Sequence, residues 1–273
     1  MDASLQQDLD VAVSAAQQGG DAIKPWMGRL QGADFKGEVD PVTVADRESE
    51  EMIIAAIKAA RPEDDILAEE SGGDPLGRER VWIIDPLDGT VNFLHGVPHV
   101  GVSIALYEQG LPRVGVVVDV FRGEVFTAAA GAGARCNGKP ISVSRQDGLG
   151  AALVATGLPY DRRRFADLYA QILGEMLKHV QGIRRMGTAS LDLAWVACGR
   201  YDGYWELKLA PWDVAAGILL VREAGGQVTD LDGKPARPGD PAVVASNPLL
   251  ANTFCERVAA AIPDAVFEPE IHR

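Results

Sequence analysis

The chain has 273 residues and a formal net charge of −13, with 47% hydrophobic and 24% charged residues. That length can bury a substantial core without disulfide staples, and the composition is that of a globular protein, not a disordered chain. The acidic excess argues against attraction to nucleic-acid phosphates or anionic lipid, and it would repel an anionic substrate unless a carboxylate-bound divalent cation reversed the local field.

Leu5, Leu9, Ala12, Val13 and Ala16 recur at helical spacing, which predicts a first helix over 4–27. A second helix is predicted over 43–60, with Met52, Ile53, Ala56 and Ile57 on its apolar face and Pro62 beyond its end. Short Val- and Ile-rich segments at 65–68, 81–84, 99–107, 113–119 and 124–129 read as strands. The NGKP run at 137–140 reads as a hairpin turn.

Beyond it, strands and helices alternate. A strand near 152–156 precedes a helix near 162–180. A helix at 188–199 leads to a strand at 202–207, and a helix at 212–224 ends at Gly225 and Gly226. Strands near 227–230 and 242–245 and a helix over 248–261 complete the chain. The expected organisation is an α+β part (1–145) and an α/β part (146–273) forming one structural unit. Cys136, Cys198 and Cys255 lie far apart with no CxxC pair, so a reducing cytoplasm is expected. The acidic N-terminus and the lack of any run of 18 apolar residues predict neither secretion nor a membrane span.

The chemistry concentrates in RVWIIDPLDGTVNF, residues 80–93, where an apolar strand delivers Asp85 and Asp88 into a stretch marked by Pro86 and Gly89. Two such carboxylates repel unless a cation lies between them, and Mg²⁺ takes oxygen ligands of this kind. Asx-type bonds to nearby backbone N–H groups explain the same residues without a metal. Glu69 and Glu70 end another strand; Asp46 stands three residues after Thr43 as in a capping box; Asp213 opens a helix after Pro211; Thr188 precedes a further helix start. Each of these has a purely structural explanation when taken alone. The four histidines, His95, His99, His179 and His272, lack an HExxH context, no GxSxG is present, and the glycines at 131–138 lack a GKS or GKT ending. Arg184 and Arg185, just before Gly187, are candidates to line an anion site.

Taken in order, GxxDPVTVADRES, ILAEESG, WIIDPLDGTVNF, GTASLDLAWVACGRYDGYWE and PWDVAAGILLVREAGG resemble the inositol monophosphatase family of Mg²⁺-dependent, lithium-sensitive phosphatases, especially its bacterial-type members, from about Lys36 to Asp232. The resemblance implies a layered αβαβα sandwich of the inositol monophosphatase and fructose-1,6-bisphosphatase type, usually a homodimer. It implies two to three Mg²⁺ ions per active site. Glu69, Asp85 and the Leu87 carbonyl would hold the first, Asp85, Asp88 and Asp213 the second, and Glu69 through water a third. Asp46 and Thr90, with Glu69 in the catalytic set, would aim and deprotonate the attacking water. Substrate phosphate would lie on the metals and the Gly89 and Thr90 backbone, beside Asp88 and Asp213, while Glu206, Thr188 and Ala189 would meet cyclitol hydroxyls.

The expected activity is hydrolysis of inositol monophosphate. Histidinol phosphate, fructose 1,6-bisphosphate and phosphoadenosine phosphate are alternative substrates, and a protein-binding module without catalysis is a reading of another class. Val91, where a small hydroxyl is common, and Ser190, where a second Ala is usual, depart from the family pattern and bear on substrate preference.

Overall fold

Asp2 accepts the Leu5 N–H at 2.8 Å and opens the first helix. In the computed structural model, which describes residues 1–29, 34–35, 41–73, 79–263 and 267, the elements follow in order. They are α1 (Ala3–Ile23), β1 (Asp34–Phe35), β2 (Pro41–Val42), α2 (Val44–Ala60), β3 (Asp65–Ala68), β4 (Gly72–Gly73), β5 (Arg80–Asp88), α3 (Thr90–Leu94), β6 (Gly101–Glu108), β7 (Leu111–Asp119) and β8 (Glu124–Ala129). Next come β9 (Ala134–Cys136), β10 (Lys139–Pro140), β11 (Leu153–Thr156), α4 (Ala166–Leu177), β12 (Gly182–Arg184), α5 (Ala189–Ala197) and β13 (Gly203–Leu207). The last four are α6 (Pro211–Glu223), β14 (Gln227–Thr229), β15 (Ala242–Ser246) and α7 (Ala251–Ala261). Lys36 to Asp40, at the start of the first motif, and His272 lie outside the described residues.

The expected αβαβα layering is present. An eight-stranded sheet runs β10-β9-β8-β7-β6-β5-β3-β4 and a five-stranded sheet runs β12-β11-β13-β15-β14. Helices α1 and α2 cover one face of the larger sheet around Ile23, Ile53, Trp82 and Ile104. Between the sheets lie α5 and α6, whose Leu193, Val196, Ile218 and Leu220 are buried with Phe126, Tyr204 and Val243. Helices α4 and α7 close the outer face of the smaller sheet around Tyr169, Trp205 and Phe254. The sandwiched helices are covered on nearly every side and mostly apolar, as a helix between two sheets must be, with Ser190 and Asp192 of α5 as buried exceptions.

Several elements differ from their expected bounds for identifiable reasons. Strand β5 continues to Asp88 instead of stopping at Ile84. Its pairing with β6 runs Asp85↔Ser103 and then Asp88↔Gly101, so Pro86 and Leu87 oppose Val102 alone in a bulge. Pro86 has no N–H to give the ladder, and the bulge accommodates that. Residues 162–165, expected to be helical, precede α4. Asn247 Oδ1 accepts the Leu249 and Leu250 N–H groups at 2.8 and 3.1 Å, so the chain turns there and α7 starts at Ala251 rather than at residue 248. The predicted NGKP hairpin joins β9 and β10, with Asn137 and Gly138 at φ 47 and 76. Met52 is 46% exposed and does not belong to the covered face of α2. That face is instead Ala45, Asp46, Ser49, Glu50, Ile53 and Ile57.

A charged network ties α1 to the larger sheet. Arg80 on β5 reaches Asp8 at 3.0 Å, Asp64 at 3.1 Å and Glu108 at 3.0 Å, and Asp64 also accepts the Trp82 indole N–H at 2.8 Å. Without Arg80, Asp8 keeps Arg61, Asp64 keeps the Trp82 indole N–H and Glu108 keeps Arg113. Arg80→Ala is therefore expected to cost about 1–2 kcal/mol, read as a lower urea midpoint at unchanged m-value.

Candidate active site

Strands β3 and β5 run parallel, with Ala68 beside Ile84, so Glu69 just after β3 and Asp85 on β5 lie at the same end of the sheet. Glu69 leaves β3 there, and its N–H donates to the Ile84 carbonyl at 3.2 Å. Asp85, Leu87 and Asp88 flank or form the bulge of β5 and are 1%, 1% and 9% exposed. The Leu87 N–H donates to Asp85 Oδ1 at 3.0 Å, so the Asx-type bond forms as well. Gly89 follows at φ 96 and turns the chain into α3. A Cβ there would lie 2.5 Å from Thr188 Oγ1 and 3.0 Å from the His99 carbonyl, so glycine is required for both conformation and space.

The capping box at the start of α2 is formed as the sequence predicts. Asp46 Oδ2 accepts the Thr43 N–H at 2.8 Å and its hydroxyl at 2.6 Å. Its other oxygen, Oδ1, accepts the Thr90 hydroxyl at 3.2 Å, and that hydroxyl also lies 3.2 Å from the Leu87 carbonyl. Asp46 thus serves both as a cap and as a neighbour of the bulge. Asp213 stands at the first turn of α6 behind Pro211, where its Oδ2 accepts the Ala210 N–H at 2.7 Å. From the start of α5, the Ser190 N–H donates to Asp88 Oδ2 at 2.7 Å.

Electrostatically these acids form one group. Burial, then the charges of Glu69, Asp88 and Asp213, hold the Asp85 carboxyl well above the usual carboxylate range. Asp213 is raised likewise by burial and then by Asp88 and Glu69. Asp88 is pushed up to about 6 by burial, against hydrogen bonds from Ser190 and Ala189 and the charge of Arg185. Burial also raises Asp46, against its bonds from Thr43 and Thr90. Among the described residues no three His, Cys, Asp or Glu side chains already form a metal-ligating group, so the carboxylates are neighbours and not a closed cage. The donor set nevertheless fits a hard divalent cation, because it is all oxygen and because burial and neighbouring acids make Asp85 and Asp213 resist ionising without one.

A cavity of about 290 Å³ opens over Asp88, Gly89, Thr90, Ala189, Glu206 and Asp213, with Arg162, Arg185 and Lys208 on its walls. Glu69 lines a separate hollow with Glu50, Glu70 and Ser71. Thr188 is not on the cavity wall. It is 1% exposed, and its hydroxyl donates to the His99 carbonyl at 2.9 Å, so it braces the Gly89 turn from beneath. Glu206 comes from β13 with Tyr204 Oη donating to its Oε2, and burial pushes it up to about 7 against that bond and Arg185.

Sequence reasoning missed several supporting residues. The Asn92 amide donates to the His99 and Met186 carbonyls at 2.9 and 2.8 Å, joining α3 to the approach to α5. Gly157 lies so close to the Glu206 carboxylate that a Cβ would stand 1.8 Å from Oε1. A glycine directly after a predicted strand end was the available signal for the second.

A family model described as the inositol monophosphatase family matches residues 4–265. The chain is 44% identical over 236 residues to the Nus factor SuhB of Pseudomonas aeruginosa, covering 84% of this chain and 87% of that protein. It is 43% identical over 258 residues to an inositol-1-monophosphatase of Synechocystis, covering 94% and 90% respectively. Among solved structures, the inositol monophosphatase of Anabaena superposes with a TM-score of 0.85 at 40% identity, over 97% of this chain and 100% of that one. The extragenic suppressor protein suhB of Bartonella henselae gives 0.86 at 40% identity, over 92% and 98%.

Proposed function

The chain belongs to the inositol monophosphatase family, and from that premise we propose that it is a Mg²⁺-dependent phosphomonoesterase that hydrolyses inositol monophosphate to myo-inositol and inorganic phosphate. The observation that carries this reading is the convergence of Glu69, Asp85, Asp88 and Asp213, where the neighbouring acids add to burial in raising the Asp85 and Asp213 carboxyls. Glu69, Asp85, Asp88, Asp213 and the Leu87 carbonyl would hold two to three ions. When bound, Mg²⁺ supplies the positive charge that neutralises phosphate and acidifies water.

The remaining roles belong to the chain itself. Asp46, held at Oδ2 by Thr43, keeps Oδ1 beside the Thr90 hydroxyl, a pair placed to orient a water and take its proton. The water oxygen bonds to phosphorus as the ester P–O bond breaks, and the leaving oxygen takes a proton from a second, solvent water. No nucleophilic side chain is needed. The backbone at Gly89 and Thr90 faces the phosphate, while Glu206 and Ala189 face the cyclitol. Residues 1–145 supply most of the metal ligands and residues 146–273 the substrate contacts, and the Ser190 to Asp88 bond supports their working as one unit. Homodimer assembly, lithium sensitivity and a cytoplasmic location complete the proposal. Among the described residues no helix is long and apolar enough to cross a membrane.

The relatives named Nus factor SuhB support a second reading, in which the chain acts through a macromolecular partner. The presence of Asp46, Glu69, Asp85, Asp88 and Asp213 favours the enzyme. Phosphate release from inositol 1-phosphate, histidinol phosphate, fructose 1,6-bisphosphate and phosphoadenosine phosphate separates the possibilities. Preference for the inositol ester supports the proposal, preference for another ester overturns the substrate, and no turnover of any ester favours the partner reading.

Glu206 gives a pH-dependent expectation. A carboxyl near 7 is ionised increasingly between pH 6 and 8, and only the ionised form accepts hydroxyl hydrogen bonds with both oxygens. KM for the inositol ester is expected to fall over that interval, and Glu206→Gln to flatten the dependence, as measured by initial rates at fixed Mg²⁺.

A further inference from the structure

One face of α2 carries Asp46, Ser49 and Glu50 at positions i, i+3 and i+4. All three are buried although none is apolar, at 1%, 0% and 4% exposure. Asp46 is joined to Thr90, as described above. The Ser49 hydroxyl donates to the Pro86 carbonyl at 2.7 Å, inside the bulge between Asp85 and Asp88. Glu50 grips the turn that follows Glu69: its Oε2 accepts the Glu70 N–H and its Oε1 the Ser71 N–H, both at 2.8 Å.

These bonds do not close the turns of α2; Ser49 reaches the bulge of β5 and Glu50 the turn after β3, the two segments that carry site acids. A bulge exposes carbonyls that the ladder no longer uses, and a buried carbonyl needs a donor, which Ser49 supplies. Two successive N–H groups pointing the same way need an acceptor with two oxygens, and only a carboxylate offers both as acceptors. Glu50 also adds a negative charge to an already acidic region, a cost that a helix-docking residue could avoid by being neutral or apolar. The fork geometry offers a reason for a carboxylate at this position.

We propose that Ser49 and Glu50 are positioning residues of the metal site, with α2 as one rack that fixes the Glu69 turn and the Asp85–Asp88 bulge relative to each other. Glu50 is the larger contributor because it holds two N–H groups through charge-assisted bonds, whereas Ser49 makes one neutral bond. Glu69 is then pinned from both sides, by its own N–H on the Ile84 carbonyl and by Glu50 on the next two residues. This inference rests on the reading of those acids as Mg²⁺ ligands, and its test separates the two.

The test compares wild type with Glu50→Ala, Glu50→Gln and Ser49→Ala by Mg²⁺ titration calorimetry, amide hydrogen exchange and steady-state kinetics. Thermal melts verify that each variant is folded. Glu50→Ala is expected to weaken Mg²⁺ binding by about tenfold or more and to speed exchange at the Glu70 and Ser71 amides by about tenfold relative to amides within α2. Its kcat at saturating Mg²⁺ is expected to stay within about threefold of wild type, because the ligands themselves remain. Glu50→Gln falls between, and Ser49→Ala shifts Mg²⁺ affinity by about threefold in the same direction. If the alanine variant does not fold, the glutamine variant carries the comparison. A folded Glu50 variant with Mg²⁺ affinity within about twofold of wild type overturns the proposal, as does unchanged exchange at Ser71. Wild-type protein that binds no Mg²⁺ overturns the metal reading instead, and the exchange comparison then decides the Glu50 tether alone.

Discussion

Replacing Asp85 by Asn is expected to lower phosphate release at saturating Mg²⁺ by about a thousandfold or more, and Asp213→Asn by a similar factor. Asn keeps the shape of the side chain and one acceptor oxygen, so the Leu87 N–H to Asp85 Oδ1 bond has a substitute. What it removes is the charge. Asp85 is 1% exposed, and the charges of Glu69, Asp88 and Asp213 all bear on it, so a cation there relieves repulsion from three neighbours. The same substitution is expected to leave the fold intact. The raised pKa of Asp85 lies above its unfolded value of about 4, so the folded state holds the proton more tightly. Stability therefore falls as pH rises through that interval. Asn at position 85 removes this cost, and the metal-free variant at pH 7.5 is expected to melt no lower than wild type, with the difference closing toward pH 4. Kinetics together with thermal melts measure both halves. A thousandfold loss accompanied by an unfolded chain would not support the metal role.

Asp46→Asn is expected to lower kcat by about 10²- to 10⁴-fold with little change in KM. Asp46 divides its two oxygens between tasks, Oδ2 to the Thr43 cap and Oδ1 to the Thr90 hydroxyl. An amide can keep the cap through its oxygen but cannot take a proton. The cost in stability should accordingly stay near that of a weakened cap, about 1 kcal/mol, too small to explain the loss of rate. Thr90→Val tests the partner by removing the hydroxyl while keeping the branch, and Thr90→Ser restores the hydroxyl. The expected order of kcat is wild type, then Thr90→Ser, then Thr90→Val. A Thr90→Val enzyme with full activity would show that Asp46 does not act with Thr90.

Much of this architecture was legible before the structure. The Thr43–Asp46 box, the apolar strand before Asp85, the NGKP turn and the Gly225 helix end are local signals, and local chemistry decides them. The segment DPLDG was legible only in part. A turn and a bulge use the same residues, and the choice depends on pairing with β6, whose Gly101 and Ser103 lie well along the chain. Helix α3, with five residues, and β12, with three, are too short for periodicity to reveal.

The misplacement of Met52 and the oversight of Glu50 have one cause. An acid on a helix reads as solvated and a methionine as buried, yet the covered face of α2 meets the acidic site instead of an apolar core over its first two turns. Thr188 reads as a helix start open to ligand, while its hydroxyl is used by the His99 carbonyl from a remote loop.

The central claim is that this buried carboxylate cluster holds divalent metal for phosphate-ester hydrolysis, and Mg²⁺ titration calorimetry on wild type and Asp85→Asn side by side, followed by inositol 1-phosphate turnover in the same samples, tests it most directly. The expected result is saturable Mg²⁺ binding by wild type at millimolar concentration or below, turnover that rises with the same saturation, and loss of both in Asp85→Asn. Wild-type protein that binds no Mg²⁺, or an Asp85→Asn variant that binds and turns over like wild type, would contradict it.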